Sequence, residues 1–169
     1  MKRAGSTSLR VIGLGAALVV VILDQISKPL MRDWLAAGDV QIAPFLSLVS
    51  AWNKGIGFSM LTMSQASGPY VLSGLALVIA AAMLVWLFRT RRLLPALALG
   101  LIVGGALGNV IDRLRLGAVF DFIDLHLAGY HWPAFNLADS ALSIGVVLLI
   151  IDGLFEGSGR SKTSARLEG

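Results

Sequence analysis

The stretch "WPAFNLADSALSIGVVLLI", residues 132–150, decides how the chain is read. Most of it is apolar enough for a lipid bilayer, yet Asn136 and Asp139 sit in its leading edge. A carboxylate in a membrane-spanning helix is costly. The segment therefore raises two questions: what the acid is for, and whether it acts alone.

The composition of the whole chain agrees with a membrane setting. Of 169 residues, 56% are hydrophobic and 14% charged, and mean hydropathy is +0.80. A soluble domain carries about 25% charge. Four stretches, roughly Val11–Met31, Pro69–Phe88, Leu93–Val110 and Asn136–Leu154, approach the ~20 residues a spanning helix needs. The third and fourth are short, which predicts limited tilt or a slightly thin bilayer. The expected fold is an all-α integral membrane protein of four transmembrane helices. A small β-rich extracytoplasmic segment is expected between helices 1 and 2. Residues 1–156 are expected to form one membrane-embedded catalytic domain, and 157–169, polar and glycine-rich, a flexible cytoplasmic tail.

Lys and Arg set the expected orientation. Lys2, Arg3, Arg10, Arg89, Arg91, Arg92, Arg160, Lys162 and Arg166 fall on one side of the four spans. Lys28, Arg32, Lys54, Arg113 and Arg115 fall on the other. The positive-inside rule makes the richer side cytoplasmic, so both termini face in and residues 32–68 and 111–135 face out. The basic balance then belongs to the anionic inner leaflet, and nucleic acid is not an expected partner. The start combines basic and apolar regions as a signal peptide does. It lacks a small-residue cleavage site before Asp24, and is read as an uncleaved first span. There is no cysteine, hence no disulfide and no thiol nucleophile.

Residues 38–60 mix Val, Ile, Phe and Trp with Pro44, Gly55 and Gly57, which predicts short strands. Residues 61–68, small and polar, read as a loop edge. In the third span Gly100, Gly104 and Gly108 share one face, which lets a neighbouring helix approach closely and draws Asn109 toward it.

Sorted by depth, the polar residues of the outward side form a pattern. Asp24 and Lys28 close the first span, four apart on one face. Asn109, Asp112 and Arg113 close the third, Asp121 and Asp124 follow in a connection read as a loop, and Asn136 and Asp139 open the fourth. Groups this costly at one level satisfy each other only by converging on a polar pocket. His126 and His131 show no serine partner in the sequence and read as interfacial, and Asp124-x-His126 is too thin for a metal site. Carboxylates remain. Two brought together divide the work, one keeping a proton while the other stays charged, and that suits amide hydrolysis. Spacing favours Asp121 with Asp139 without excluding other pairs. Asp112 beside Arg113 reads as an ion pair or helix terminus, and Asp24 with Lys28 as a structural or substrate-orienting pair.

The blocks "LDQISK" (23–28), "WNKGIGFS" (52–59), "GGALGNVIDR" (104–113), "VFDFID" (119–124) and "FNLADS" (135–140) resemble, in order, those of bacterial lipoprotein signal peptidases, the signal peptidase II family. The resemblance covers about residues 11–155. It implies an aspartic endopeptidase of the bacterial inner membrane that acts on diacylglyceryl-modified prolipoproteins, cutting just before the lipidated cysteine. It also implies Asp121 and Asp139 as the catalytic pair, with Asp24, Lys28, Asn53, Gly55, Asn109, Arg113, Asn136 and Ala138 around them. An outer sheet would cradle substrate at the membrane surface. Gly57 departs from the family pattern, which has alanine there, and puts the cradle's rigidity in question. No cofactor or metal is expected, membrane lipid is an expected partner, and the chain is expected to act as a monomer. The competing reading is a small proton-coupled transporter or channel subunit using the same carboxylates as a relay. The absence of an inverted repeat or broken midplane helix weighs against it.

Overall fold

The four apolar stretches are helices: α1 (Ser6–Trp34), α2 (Gly68–Arg89), α3 (Leu93–Leu116) and α4 (Leu137–Ser164). The computed structural model describes residues 6–55 and 67–164, with side chains described for 7–55 and 67–155. The portions long and apolar enough to span a bilayer are Thr7–Ala37, Gly68–Arg89, Leu93–Leu116 and Leu137–Phe155. The third is not short. It runs to Leu116, not Val110, and its 24 residues cover about 36 Å at ~1.5 Å per residue. The polar residues that look like a helix end, Asp112 and Arg113, lie inside its last turns. Gly117 ends it in a left-handed conformation (φ 73°), donating its N–H to the Arg113 carbonyl. Helix α4 likewise continues past Leu154, to Ser164.

Helix α3 is the centre of the bundle. Its spanning window is 72% buried, against 17–28% for the other three, and it packs on α1, α2 and α4. The glycines make this possible. A Cβ on Gly100 would strike the Gly13 carbonyl of α1, and one on Gly104 would lie 2.7 Å from the Ala17 carbonyl. A Cβ on Gly105 would strike the Ala138 carbonyl of α4. The glycine face thus admits a neighbouring helix closely, as expected; that helix is α1, and the adjoining Gly105 admits α4. Apolar residues such as Leu18, Val78, Ile79, Val147 and Ile150 stay exposed on the outer surfaces of α1, α2 and α4, where lipid replaces a protein partner.

The β segment expected between helices 1 and 2 is present, and the sheet extends beyond it. Strands β1 (Val40–Ala43) and β2 (Leu46–Asn53) do fall there. β3 (Val119–Leu127) and β4 (Tyr130–His131) come from between α3 and α4, and the four form one antiparallel sheet in the order β1-β2-β3-β4. Val119–Asp124 is therefore a strand and not a loop. It is buried along nearly its whole length, because Phe120 and Phe122 pack with Leu35 and with Met31 of α1 on one side while Asp121 meets Asn136 on the other. Residues 61–66 of the expected edge, and Gly57, lie outside the described residues; Gly68 opens α2.

Candidate active site

Strand β3 and the start of α4 are tied together before any side chain is considered. After β3 the chain reverses through Ala128 and Gly129, both at positive φ (51° and 83°), a two-residue hairpin turn that returns it as β4. Phe135 then runs back beside β3. Its carbonyl accepts the N–H of Ile123 at 2.8 Å, and its N–H donates to the Ile123 carbonyl at 3.0 Å. This bridge brings Asp121, two residues upstream, against the first turn of α4. The turn expected at Gly129 is what closes the link between the two acids.

Asn136 caps α4 and joins the two acids. Its Oδ1 accepts the Asp139 N–H at 3.0 Å, while its own N–H donates to Asp139 Oδ2 at 3.2 Å, the reciprocal pattern of a capping box. Its Nδ2 donates to Asp121 Oδ1 at 2.7 Å and lies 3.1 Å from Asn109 Oδ1. Asn109 in turn donates Nδ2 to Asp139 Oδ1 at 2.7 Å. Both Asp139 oxygens are therefore held by neutral N–H donors.

Asp121 is almost fully buried, whereas Asp139 is half-buried. Burial, reinforced by the nearby Asp139 charge, pushes the Asp121 carboxyl up to about 6; hydrogen bonds from Asn53 and Asn136, and the Lys28 charge, work against the rise. Asn53 is held by its own turn, its Oδ1 accepting the Gly55 N–H at 2.9 Å. Gly55 has φ 75°, and a Cβ there would strike Leu72 of α2, so glycine is required for that turn.

Behind this pair lies a second group. Lys28 Nζ sits 2.8 Å from Asp24 Oδ2, 2.9 Å from Asp112 Oδ2 and 3.2 Å from Asn109 Oδ1, which commits its three N–H donors. Asp24 Oδ1 accepts the Ala138 N–H at 3.1 Å. Ala138 is fully buried at the point where α4 meets α1 and α3. Gln25 links the same acids, donating to Asp112 Oδ1 at 2.9 Å and lying 3.2 Å from Asp24 Oδ2.

Asp24, Lys28, Asn53, Gly55, Asn109, Asn136 and Ala138 thus converge with Asp121 and Asp139 in one network. Arg113 stands apart. It does not pair with Asp112, which goes to Lys28. Its Nε is buried without a hydrogen bond, and its guanidinium lies in the field of Asp139, Asp121 and Asp112. Gln25, and Asp112 as a Lys28 partner, were missed from the sequence. The one signal was Gln25's position inside "LDQISK", one residue from the acid it serves. Ser47 was also missed: its Oγ lies 3.0 Å from His126 Nε2. His126 stacks on His131, centroids 5.0 Å apart, and Asp124 pairs with His131 at 2.8 Å. The carboxylate therefore orients the histidine that does not face the serine, which is not the alignment of a nucleophilic triad.

A polytopic membrane protein with buried carboxylates gathered at one end of its helices is thereby defined. A model of the family described as Signal peptidase (SPase) II matches residues 16–155. A lipoprotein signal peptidase of Anaplasma phagocytophilum (strain HZ) is 44% identical over 141 residues, covering 83% of this chain and 90% of that one. One from Ralstonia nicotianae is 47% identical over 144 residues, covering 83% of each. Among solved structures, a bacterial membrane enzyme determined by the in meso method at 2.3 Å superposes with a TM-score of 0.72 at 34% identity, over 87% of this chain and 90% of that one. The chain belongs to the signal peptidase II family.

Proposed function

We propose that the chain is an intramembrane aspartic endopeptidase that removes signal peptides from diacylglyceryl-modified prolipoproteins, cutting on the amino side of the lipidated cysteine. The observation that carries this reading is the pairing of Asp121 and Asp139 through Asn136, with amide donors on both acids. The names of the relatives supply the substrate class.

The two acids differ in a way that divides the work. Asp121, deeply buried and raised to about 6, holds the proton. Asp139 takes two N–H donors at the positive end of α4, a setting for an anion. Asp139 accepts a proton from water as its oxygen attacks the scissile carbonyl carbon, while Asp121 donates its proton to the carbonyl oxygen. As the diol collapses, Asp121 recovers a proton from a hydroxyl, Asp139 protonates the leaving nitrogen, and the C–N bond breaks. Both acids return to their starting states. Arg113, with Nε unbonded, holds substrate carbonyl oxygens. The excess of basic residues at the opposite ends of the spans supports a multi-pass placement in the bacterial inner membrane, with both termini cytoplasmic and the site near the outer surface. Residues 1–156 serve as the single catalytic domain of a monomer.

The test is cleavage of a diacylglyceryl-prolipoprotein by purified protein carrying Asp121→Asn or Asp139→Asn, each alone. Either is expected to lower kcat by about 10³-fold or more. Near-normal cleavage by either variant sinks the pair assignment.

A further inference from the structure

A cavity of about 190 Å³ lies between α1, α3 and the sheet, and the proposed catalytic pair does not use it. Strand alternation sets it on the other side of β3: Phe120 lines it, and the next residue, Asp121, points the opposite way. Its polar lining is Gln25, Lys28, Arg32, Asp112 and Arg115. Three cations against one carboxylate leave it with a net formal charge of +2.

The deeper groups are already committed, Lys28 to Asp24 and Asp112 and Gln25 to Asp112. The two arginines are not committed in the same way. Arg32 has only a loose 3.7 Å contact with Asp33, itself 78% exposed. Arg115 has no ion pair or hydrogen bond among the described residues. Two guanidinium forks thus stand at a concave site without a buried anion of their own. Forks of that shape match the oxygens of a phosphate better than a single carboxylate does.

The surroundings name the source of the phosphate. Pro29, Leu116 and Trp52 form the remaining wall, and Trp52 is 45% exposed, as interfacial tryptophans are. On α1 the neighbouring Ile26 and Leu30 are apolar and exposed, a surface for acyl chains. Arg32 and Arg115 lie near the C-terminal ends of their spanning segments, toward the level at which lipid headgroups sit. We propose that this cavity binds the headgroup of an anionic phospholipid, with Arg32 and Arg115 on its phosphodiester. It lies on the opposite face of β3 from Asp121.

Binding is read directly, without cleavage, so its outcome is independent of the proposed enzymatic activity. The full chain is purified in detergent, stripped of lipid and titrated with phosphatidylglycerol or phosphatidylcholine, and bound lipid is counted by native mass spectrometry. The wild type is expected to retain one phosphatidylglycerol in preference to phosphatidylcholine. Arg32→Gln with Arg115→Gln is expected to weaken that retention about twenty-five-fold, each cation contributing about fivefold. Arg89→Gln with Arg91→Gln, at the other end of the spans, is expected to leave it unchanged. Equal retention by the Arg32/Arg115 variant overturns the site. Inorganic phosphate that binds the stripped protein as tightly as the lipid, and is lost in the same variant, overturns the lipid assignment in favour of the free ion.

Discussion

The two halves of the polar network treat their carboxylates differently. Asp24 and Asp112 share the Lys28 ammonium at 2.8 and 2.9 Å, so their charge is answered inside the protein. Among the described residues, Asp121 and Asp139 receive only neutral donors, from Asn53, Asn109 and Asn136. A carboxylate locked to an ammonium is a poor proton carrier, because giving up its charge strands the cation. One held by amides can gain or lose a proton without breaking an ion pair. The acids with structural partners are thus the ones an ion pair has retired from chemistry. The pair left to amides is the reactive one in the proposed mechanism. Asn109 touches both halves, accepting from Lys28 and donating to Asp139, so the charged half fixes the position of the neutral half.

That contrast breaks most severely at Lys28. Lys28→Met leaves Asp24 and Asp112 buried with no cation, and removing one partner of a buried pair costs about 3–5 kcal/mol. Thermal unfolding in detergent is expected to show a loss of that size. Adding Asp24→Asn and Asp112→Asn to the same protein is expected to recover much of it, since no stranded charge then remains. A Lys28→Met protein as stable as wild type would mean that this half is not held by its ion pairs.

Asn136 tests the neutral half. Asn136→Ala removes the donor to Asp121 and the cap on the Asp139 N–H together. Displacement of catalytic groups by about 1 Å costs roughly 10²-fold, so kcat is expected to fall by about that factor. KM is expected to move little, because no substrate-binding role is assigned to Asn136. A change confined to KM would place Asn136 in substrate binding instead.

These two residues also show what could be read in advance. Lys28 with Asp24 and Asn136 with Asp139 are local pairs, four and three residues apart, and helical spacing announces them. The four spans were legible for the same reason, since length and hydropathy are local properties. Asp112 with Lys28, Gln25 with Asp112, and Ser47 with His126 are long-range contacts set by how α1 meets α3 and β2 meets β3. No periodicity encodes them. Strand β3 was hidden differently. Phe120 and Phe122 alternate with Val119, Asp121 and Ile123, a period-2 signal, but both faces are buried and the aspartates lower its apparent hydrophobicity. Read as a loop, it left the choice of acid partner open. As a strand bridged to Phe135, it leads Asp121 to Asn136.

The smallest expected effect concerns the proton itself. Raising the Asp121 pKa in the folded protein to about 6 favours its protonated form, so the stability it contributes is present below about 3.8 and lost as pH rises through about 6. In the proposed mechanism that protonated form is the acid, and kcat/KM is expected to decline over the same upper range. The Asn53 hydrogen bond opposes the rise by favouring the charged carboxylate. Asn53→Ala should therefore push the group higher still, carrying the limb upward by up to about one pH unit. Loss of the Gly55 turn in the same variant lowers the height of the profile at every pH. It does not move the midpoint, so position and height separate the two roles. A limb that stays in place, or moves down, would remove Asp121 as the proton donor and hand that part to Asp139.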